Sequence, residues 1–99
     1  MKKQEFIMRS GEKEGFLESL LKFTEFFVGR ECEYSSKYHY DEFYIHSVNG
    51  IRLTRLFRIY ITYHDQCRYV SVYVYPLSKK ADFILRKFIK TSFMYLYMS

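Results

Sequence analysis

Between Arg55 and Pro76 the chain reads RLFRIYITYHDQCRYVSVYVYP and alternates apolar and polar positions twice. Phe57, Ile59 and Ile61 share one parity in the first half, and Val70, Val72 and Val74 share one in the second. A period of two with β-branched residues marks half-buried strands. The polar break at His64-Asp65-Gln66 joins them as a hairpin. Asp41 to Val48 also alternates, Phe43 and Ile45 against Tyr44 and His46, and runs into Asn49-Gly50, a dipeptide suited to positive φ. Together these stretches predict three antiparallel strands in a meander. A short apolar group ahead of Ser10-Gly11, Phe6-Ile7-Met8, predicts an additional edge strand.

Elsewhere the period changes to that of a helix. Phe16, Leu20, Phe23 and Phe27 recur at three and four residues, flanked by Leu17, Leu21, Thr24 and Val28, while Glu18, Lys22 and Glu25 take the other side. Glu12 and Glu14 suit the first turn of such a helix, and Gly29 suits its end. Residues 30–40 show no period and predict a loop or the frayed start of a strand. After Pro76, which cannot donate to a ladder, Ser78 can cap a second helix. Its apolar stripe is Ala81, Ile84, Leu85, Phe88, Ile89, Ser92, Phe93 and Leu96, with Lys79, Lys80, Arg86, Lys87 and Lys90 off it. The tail from Phe93 to Met98 is apolar nearly all round, which predicts deep packing or self-association.

The predicted fold is α+β, a single domain over residues 1–99, in the order (β)αβββα. A three- to four-stranded antiparallel sheet carries two helices on the face of Phe43, Phe57 and Val72. The opposite face then presents Tyr44, His46, Arg58, Tyr60, Thr62, Tyr69, Ser71, Tyr73 and Tyr75.

Composition sharpens the picture in two respects. Aromatics are 21% of the chain, ten Phe and eleven Tyr with no Trp, ample for a core. This bias toward Phe, Tyr, Ile and Lys fits an AT-rich genome such as those of many viruses and mobile elements. The formal charge of +5 is also uneven: residues 43–99 hold nine bases against Asp65 and Asp82. A polyanion is the natural partner for that half. Two cysteines, Cys32 and Cys67, fit no repeated ligand spacing, and His64-x-x-Cys67 has no second pair, so no metal and no cofactor is expected. With no signal-like run and no segment near the ~20 apolar residues that cross a bilayer, a soluble cytoplasmic protein with no membrane partner is expected.

Three uses compete for the uncovered tyrosine face. Bases of a nucleic acid can stack on rings beside Arg58; cross-strand Tyr pairs can simply stabilise the sheet; and Tyr with Arg suits a homodimer interface. The start of the last helix, Ser78-Lys79-Lys80-Ala81, offers a second site for phosphate, to which Arg52, Arg55, Arg86 and Lys87 can add. The candidate nucleic-acid-binding residues are thus Arg52, Arg55, Arg58, Tyr60, Tyr73, Lys79, Lys80, Arg86 and Lys87.

The αβββα order, Gly50 followed by Phe57, and Ser78-Lys79-Lys80-Ala81 resemble the double-stranded-RNA-binding domain over residues 15–95. Ile51 and Leu53 stand where that family has Pro and His, and its third lysine is absent. Arg55-Leu56-Phe57-Arg58-Ile59-Tyr60 and Tyr75-Pro76-Leu77-Ser78-Lys79-Lys80 are similar to strands of RelE-type toxins. That resemblance implies RNA cleavage, with Arg58, Lys79, Lys80 and Arg86 on the phosphorane and His64 or a tyrosine as acid or base. The expectation is a small basic RNA-binding protein without catalysis. The alternatives are a RelE-like ribonuclease, or a dimerising protein-interaction or viral accessory module that meets no nucleic acid.

Overall fold

The computed structural model describes residues 2–35, 41–49 and 52–93. Residues 36–40 of the aperiodic stretch, the Gly50 half of the Asn49-Gly50 turn and the tail beyond Phe93 lie outside them. Five strands form one antiparallel sheet: β1 (Gln4–Arg9), β2 (Cys32–Tyr34), β3 (Glu42–Asn49), β4 (Arg52–His64) and β5 (Tyr69–Pro76). Their spatial order is β1-β5-β4-β3-β2. The meander sits in the middle as predicted, β1 pairs with β5 at one edge, and β2 adds a strand at the other. Two helices complete the domain, α1 (Lys13–Val28) and α2 (Lys79–Phe88), the latter continuing into one wide turn over Ile89–Phe93. The α+β class with both helices on one face stands; the strand count rises to five.

That strand order requires α1 to carry the chain from one edge of the sheet to the other. Sixteen helical residues reach ~24 Å, and four strand spacings need ~19 Å, so one helix is long enough to cross. Phe16, Leu17, Leu20, Leu21 and Thr24 make its buried face. Gly29 ends it at φ 72°, where its amide donates to the Glu25 carbonyl at 2.8 Å; a side chain is disfavoured in that left-handed region, which is why glycine stops the helix here. Ser78 caps α2, its hydroxyl accepting from the Ala81 amide at 3.0 Å.

Core and sheet meet at Phe88. Its ring, fully buried, lies edge-on to Phe6 of β1 (6.5 Å), Phe16 (5.6 Å) and Phe23 (5.5 Å) of α1. One side chain of α2 therefore ties the edge strand to the other helix. Below it lie Ile59, Ile61, Val70, Val72 and Val74, all buried as their parity requires.

The parity breaks once. Ile45 pairs with Phe57 but His46 pairs with Arg55, so Leu56 is an extra residue, a β-bulge in β4. Leu56 and Phe57 are consequently both buried, and Arg55 moves to the face opposite the helices. The amide of Leu77, just past β5, donates to the Leu56 carbonyl at 3.0 Å and satisfies the backbone that the bulge displaces.

The β4–β5 connection also departs from expectation. His64 still belongs to β4, and the turn is Asp65–Arg68, closed by the Arg68 amide donating to the Asp65 carbonyl at 3.1 Å. Asp65, Gln66 and Cys67 all have positive φ, 50°, 55° and 67°, with no glycine or asparagine among them. Ser10 steadies this turn from the β1–α1 junction: its amide donates to the Arg68 carbonyl at 2.9 Å and its hydroxyl to the Cys67 carbonyl.

Candidate nucleic-acid interface

The structure divides the candidate residues between two surfaces on opposite sides of the sheet. Arg55, Arg58, Tyr60 and Tyr73 lie on the face away from the helices, whereas Lys79, Lys80, Arg86 and Lys87 lie on α2. Arg52 opens β4 opposite Asn49. One ligand-binding patch cannot contain all of them.

On the open sheet face the residues form cross-strand rows. Tyr44, Arg58 and Tyr75 make one row, and Glu42, Tyr60, Tyr73 and Glu5 the next. Three of the cations here are already engaged. Arg58 Nε meets Glu42 Oε1 at 2.7 Å while its guanidinium stands 5.4 Å from the Tyr75 ring centroid. The bond to Glu42 raises the pKa of Arg58 further above its usual value, with the charge of Glu42 next in effect. Arg55 stacks over Tyr44 at 4.3 Å, and Lys3 sits over Tyr73 and Tyr75 at 5.1 and 5.8 Å. Tyr60 and Tyr73 lean on each other at 6.2 Å. Lys3, Arg9, Arg55 and Arg58 face Glu5, Glu33 and Glu42, so the charge of this surface nearly balances.

The outer face of α2 is the reverse case. At ~100° per residue, Lys79, Lys80, Phe83, Arg86, Lys87 and Lys90 fall within about one third of the helix circumference, opposite buried Ala81, Ile84, Leu85 and Phe88. The stripe runs ~16 Å along the axis. Arg86 is held by Asp82, four residues back, at 2.5 Å. Among the described residues no acid pairs with Lys79, Lys80, Lys87 or Lys90. A shallow groove of about 230 Å³ opens along the stripe, lined among the described residues by Phe83, Arg86, Lys87 and Lys90. Lys87 Nζ stands 5.5 Å from the Phe83 ring. Phe83 and Lys90 are not among the site residues expected from the sequence. Their signal is positional: Phe83 lies four residues from both Lys79 and Lys87 and falls off the apolar stripe.

The constellation implied by the RelE resemblance is not brought together. Arg58 faces the open side while α2 covers the other, and His64 pairs with Tyr69 at the turn end of the hairpin whose far end is the Phe57–Pro76 pair. Seven steps along the strands put His64 ~24 Å from that far end, where α2 begins. His64 is instead engaged locally, its Nε2 at 2.8 Å from Ser71 Oγ and 3.3 Å from Thr62 Oγ1. Cys32 is buried, its thiol pushed up to about 11 by burial first and by Glu25 and Glu31 next, whereas Cys67 is exposed on the turn. No cluster of three or more His, Cys, Asp and Glu side chains fit to hold a metal exists among the described residues. No helix among them is long and apolar enough to cross a membrane.

Comparison of the chain with protein-family models, curated proteins and solved structures finds no match to any of them.

Proposed function

We propose that this protein binds nucleic acid, RNA before DNA, without catalysing a reaction on it, and that the outer face of α2 is the binding surface. One observation carries the reading: Lys79, Lys80, Lys87 and Lys90 line a single face of α2 with no acid paired to them among the described residues. Lys87 and Lys90, three residues apart, repel each other across one turn, and Lys79 and Lys80 stand in the first turn, where the helix dipole disfavours cations. A polyphosphate removes both penalties and gains from the release of its counterions. RNA is favoured because both families whose motifs Ser78-Lys79-Lys80 resembles act on RNA.

The open sheet face supports a nucleic-acid role less well. The rings of Tyr44, Tyr73 and Tyr75 lie under the protein's own cations, and its charges nearly cancel. A strand arriving there has to displace Arg55, Arg58 or Lys3 before a base can stack on those rings.

Titration of the protein with fluorescent RNA across a salt series tests the reading. Log affinity is expected to fall linearly with log salt. Replacing Lys79, Lys80, Lys87 and Lys90 by Ala should flatten that slope by ~0.7–0.9 for each phosphate that is no longer neutralised. Replacing Arg58 and Tyr73 should leave it unchanged. An unchanged slope in the α2 variant would refute the site, and absence of binding at low salt would refute the function.

A further inference from the structure

The α2 stripe does not stop at its lysines. Phe83 lies at its centre with half its surface exposed, and its ring continues into a row of others. Phe27 of α1 is 6.2 Å away at 73°, and Phe26 is 5.7 Å beyond that at 78°. Phe26 is 81% exposed. The row is braced from behind, because Phe27 packs on Phe23 at 4.9 Å and Phe23 packs on Phe88 in the core. Three large exposed rings side by side are not what a solvated surface needs. Their position beside four unpaired lysines narrows what covers them.

The covering partner must supply negative charge and flat apolar faces together. A duplex supplies the first only, since its bases are stacked on one another and present edges to the grooves. A second copy of this chain packed about a twofold axis brings its own α2 cations against these. A single strand supplies both, a phosphate and an unstacked base at every residue. Lys87 lies over the Phe83 ring at 5.5 Å, so a base reaches Phe83 by taking that face while the lysine turns to a phosphate, whereas among the described residues no cation lies over Phe26 or Phe27.

We propose that the ligand of the α2 surface is a single-stranded nucleic acid, with bases stacked on Phe83, Phe27 and Phe26 and phosphates held by the lysines. This rests on the reading of α2 as a nucleic-acid site. It departs from the duplex ligand that the double-stranded-RNA-binding resemblance implies.

The test compares oligo-uridylate, oligo-thymidylate, a mixed-sequence RNA duplex and vesicles of anionic phospholipid at one low salt concentration. The variants are Phe83→Ala, Phe83→Leu and Phe26→Ala. The side chains of Phe26 and Phe83 are exposed, and a thermal melt checks that each variant keeps its fold. The single strands are expected to bind more tightly than the duplex, the two differing from each other through the sugar and the thymine methyl. Each Phe→Ala change should weaken single-strand binding about ten-fold while leaving the salt slope unaltered. Phe83→Leu, apolar but without a ring face, should behave like Ala. Equal affinity for the duplex with Phe→Ala neutral overturns this inference and leaves α2 as a nucleic-acid site. Failure to bind any nucleic acid overturns both. Phe-dependent binding to the vesicles alone makes the patch a membrane-contacting surface, and a dimer that Phe26→Ala dissociates makes it a self-association surface; either result overturns the inference.

Discussion

The turn at Asp65–Arg68 makes a quantitative demand on the backbone. An L-residue in the left-handed region pays about 1–2 kcal/mol relative to the right-handed one. Cys67, at φ 67°, has neither glycine's freedom nor asparagine's tolerance for it. Replacing it by Gly removes that strain but adds the greater entropy of glycine in the unfolded chain, about 0.5–1 kcal/mol. The difference predicts that Cys67→Gly stabilises the domain by about 0.5–1 kcal/mol, or ~2–8 °C in Tm for a chain of this size. Gln66→Asn should add a smaller gain, producing the Asn-Gly pair that two positive-φ positions prefer. The thiol is exposed, and Cys67 meets Ser10 only through its backbone carbonyl, which glycine retains. Controls separate conformation from chemistry. Cys67→Ala, equally chiral, should leave stability almost unchanged, and Cys67→Val, β-branched, should lower it. Urea melts with a constant m-value read the order Gly, Ala, Val at position 67. A Gly variant no more stable than the Ala variant would refute the idea that strain resides at this residue.

Two further outcomes follow from the core. Phe88→Ala removes the ring shared by Phe6, Phe16 and Phe23 and should cost about 3–5 kcal/mol, a large part of the stability of a 99-residue domain; a urea midpoint shifted by under about 1 kcal/mol equivalent would show that the cluster is not the keystone assigned here. The two thiols should separate cleanly on alkylation near pH 8. Cys67 reacts, whereas Cys32, 4% exposed and titrating only near 11, stays protonated and silent until the chain is unfolded. The sign for stability follows: a folded pKa raised above the ordinary 9.0 means that folding is helped below pH 9 and loses that help as pH climbs toward 11. Fast labelling of Cys32 in the native protein would contradict its burial.

Much of the fold is visible in the sequence because period and burial coincide. α1 and the β4–β5 hairpin each repeat their pattern long enough to define a face, and Gly29 and Ser78 end and begin helices by local chemistry alone. β2 has three residues, too few to show any period, and is a strand only because β3 lies beside it. The bulge leaves a single trace, the adjacent apolar pair Leu56-Phe57, which a strict alternation would assign to opposite faces. The Asp65–Cys67 turn carries no glycine or asparagine, so tertiary ties from Ser10 and the strands override local preference. For the site, the lysines of α2 are legible as residues off the buried stripe. Phe83 escapes notice because the candidate residues of α2 are picked by charge alone, although its place off the apolar stripe sets it among them. Phe26 carries a similar signal, set between Lys22 and Arg30 at four residues on either side, away from the Leu17–Leu20 face.

The tyrosine count points toward the sheet as the binding surface, and local electrostatics points away from it. Stacking needs an open ring face, and phosphate binding needs a cation without an internal partner. On the sheet, Tyr44, Tyr73 and Tyr75 each lie under an Arg or Lys, an attraction between cation and ring that stabilises the sheet. Displacing those cations would forfeit that stabilisation, and Glu5, Glu33 and Glu42 would repel the incoming phosphates within one Debye length of ~10 Å. The sheet face is thus a self-satisfied lattice that holds β1, β3, β4 and β5 in register. On α2 the only acid is Asp82, already committed to Arg86, against five bases along the helix and its wide turn. Under the proposed reading, charge left without an acidic partner, more than aromatic content, marks the side of this molecule that meets nucleic acid.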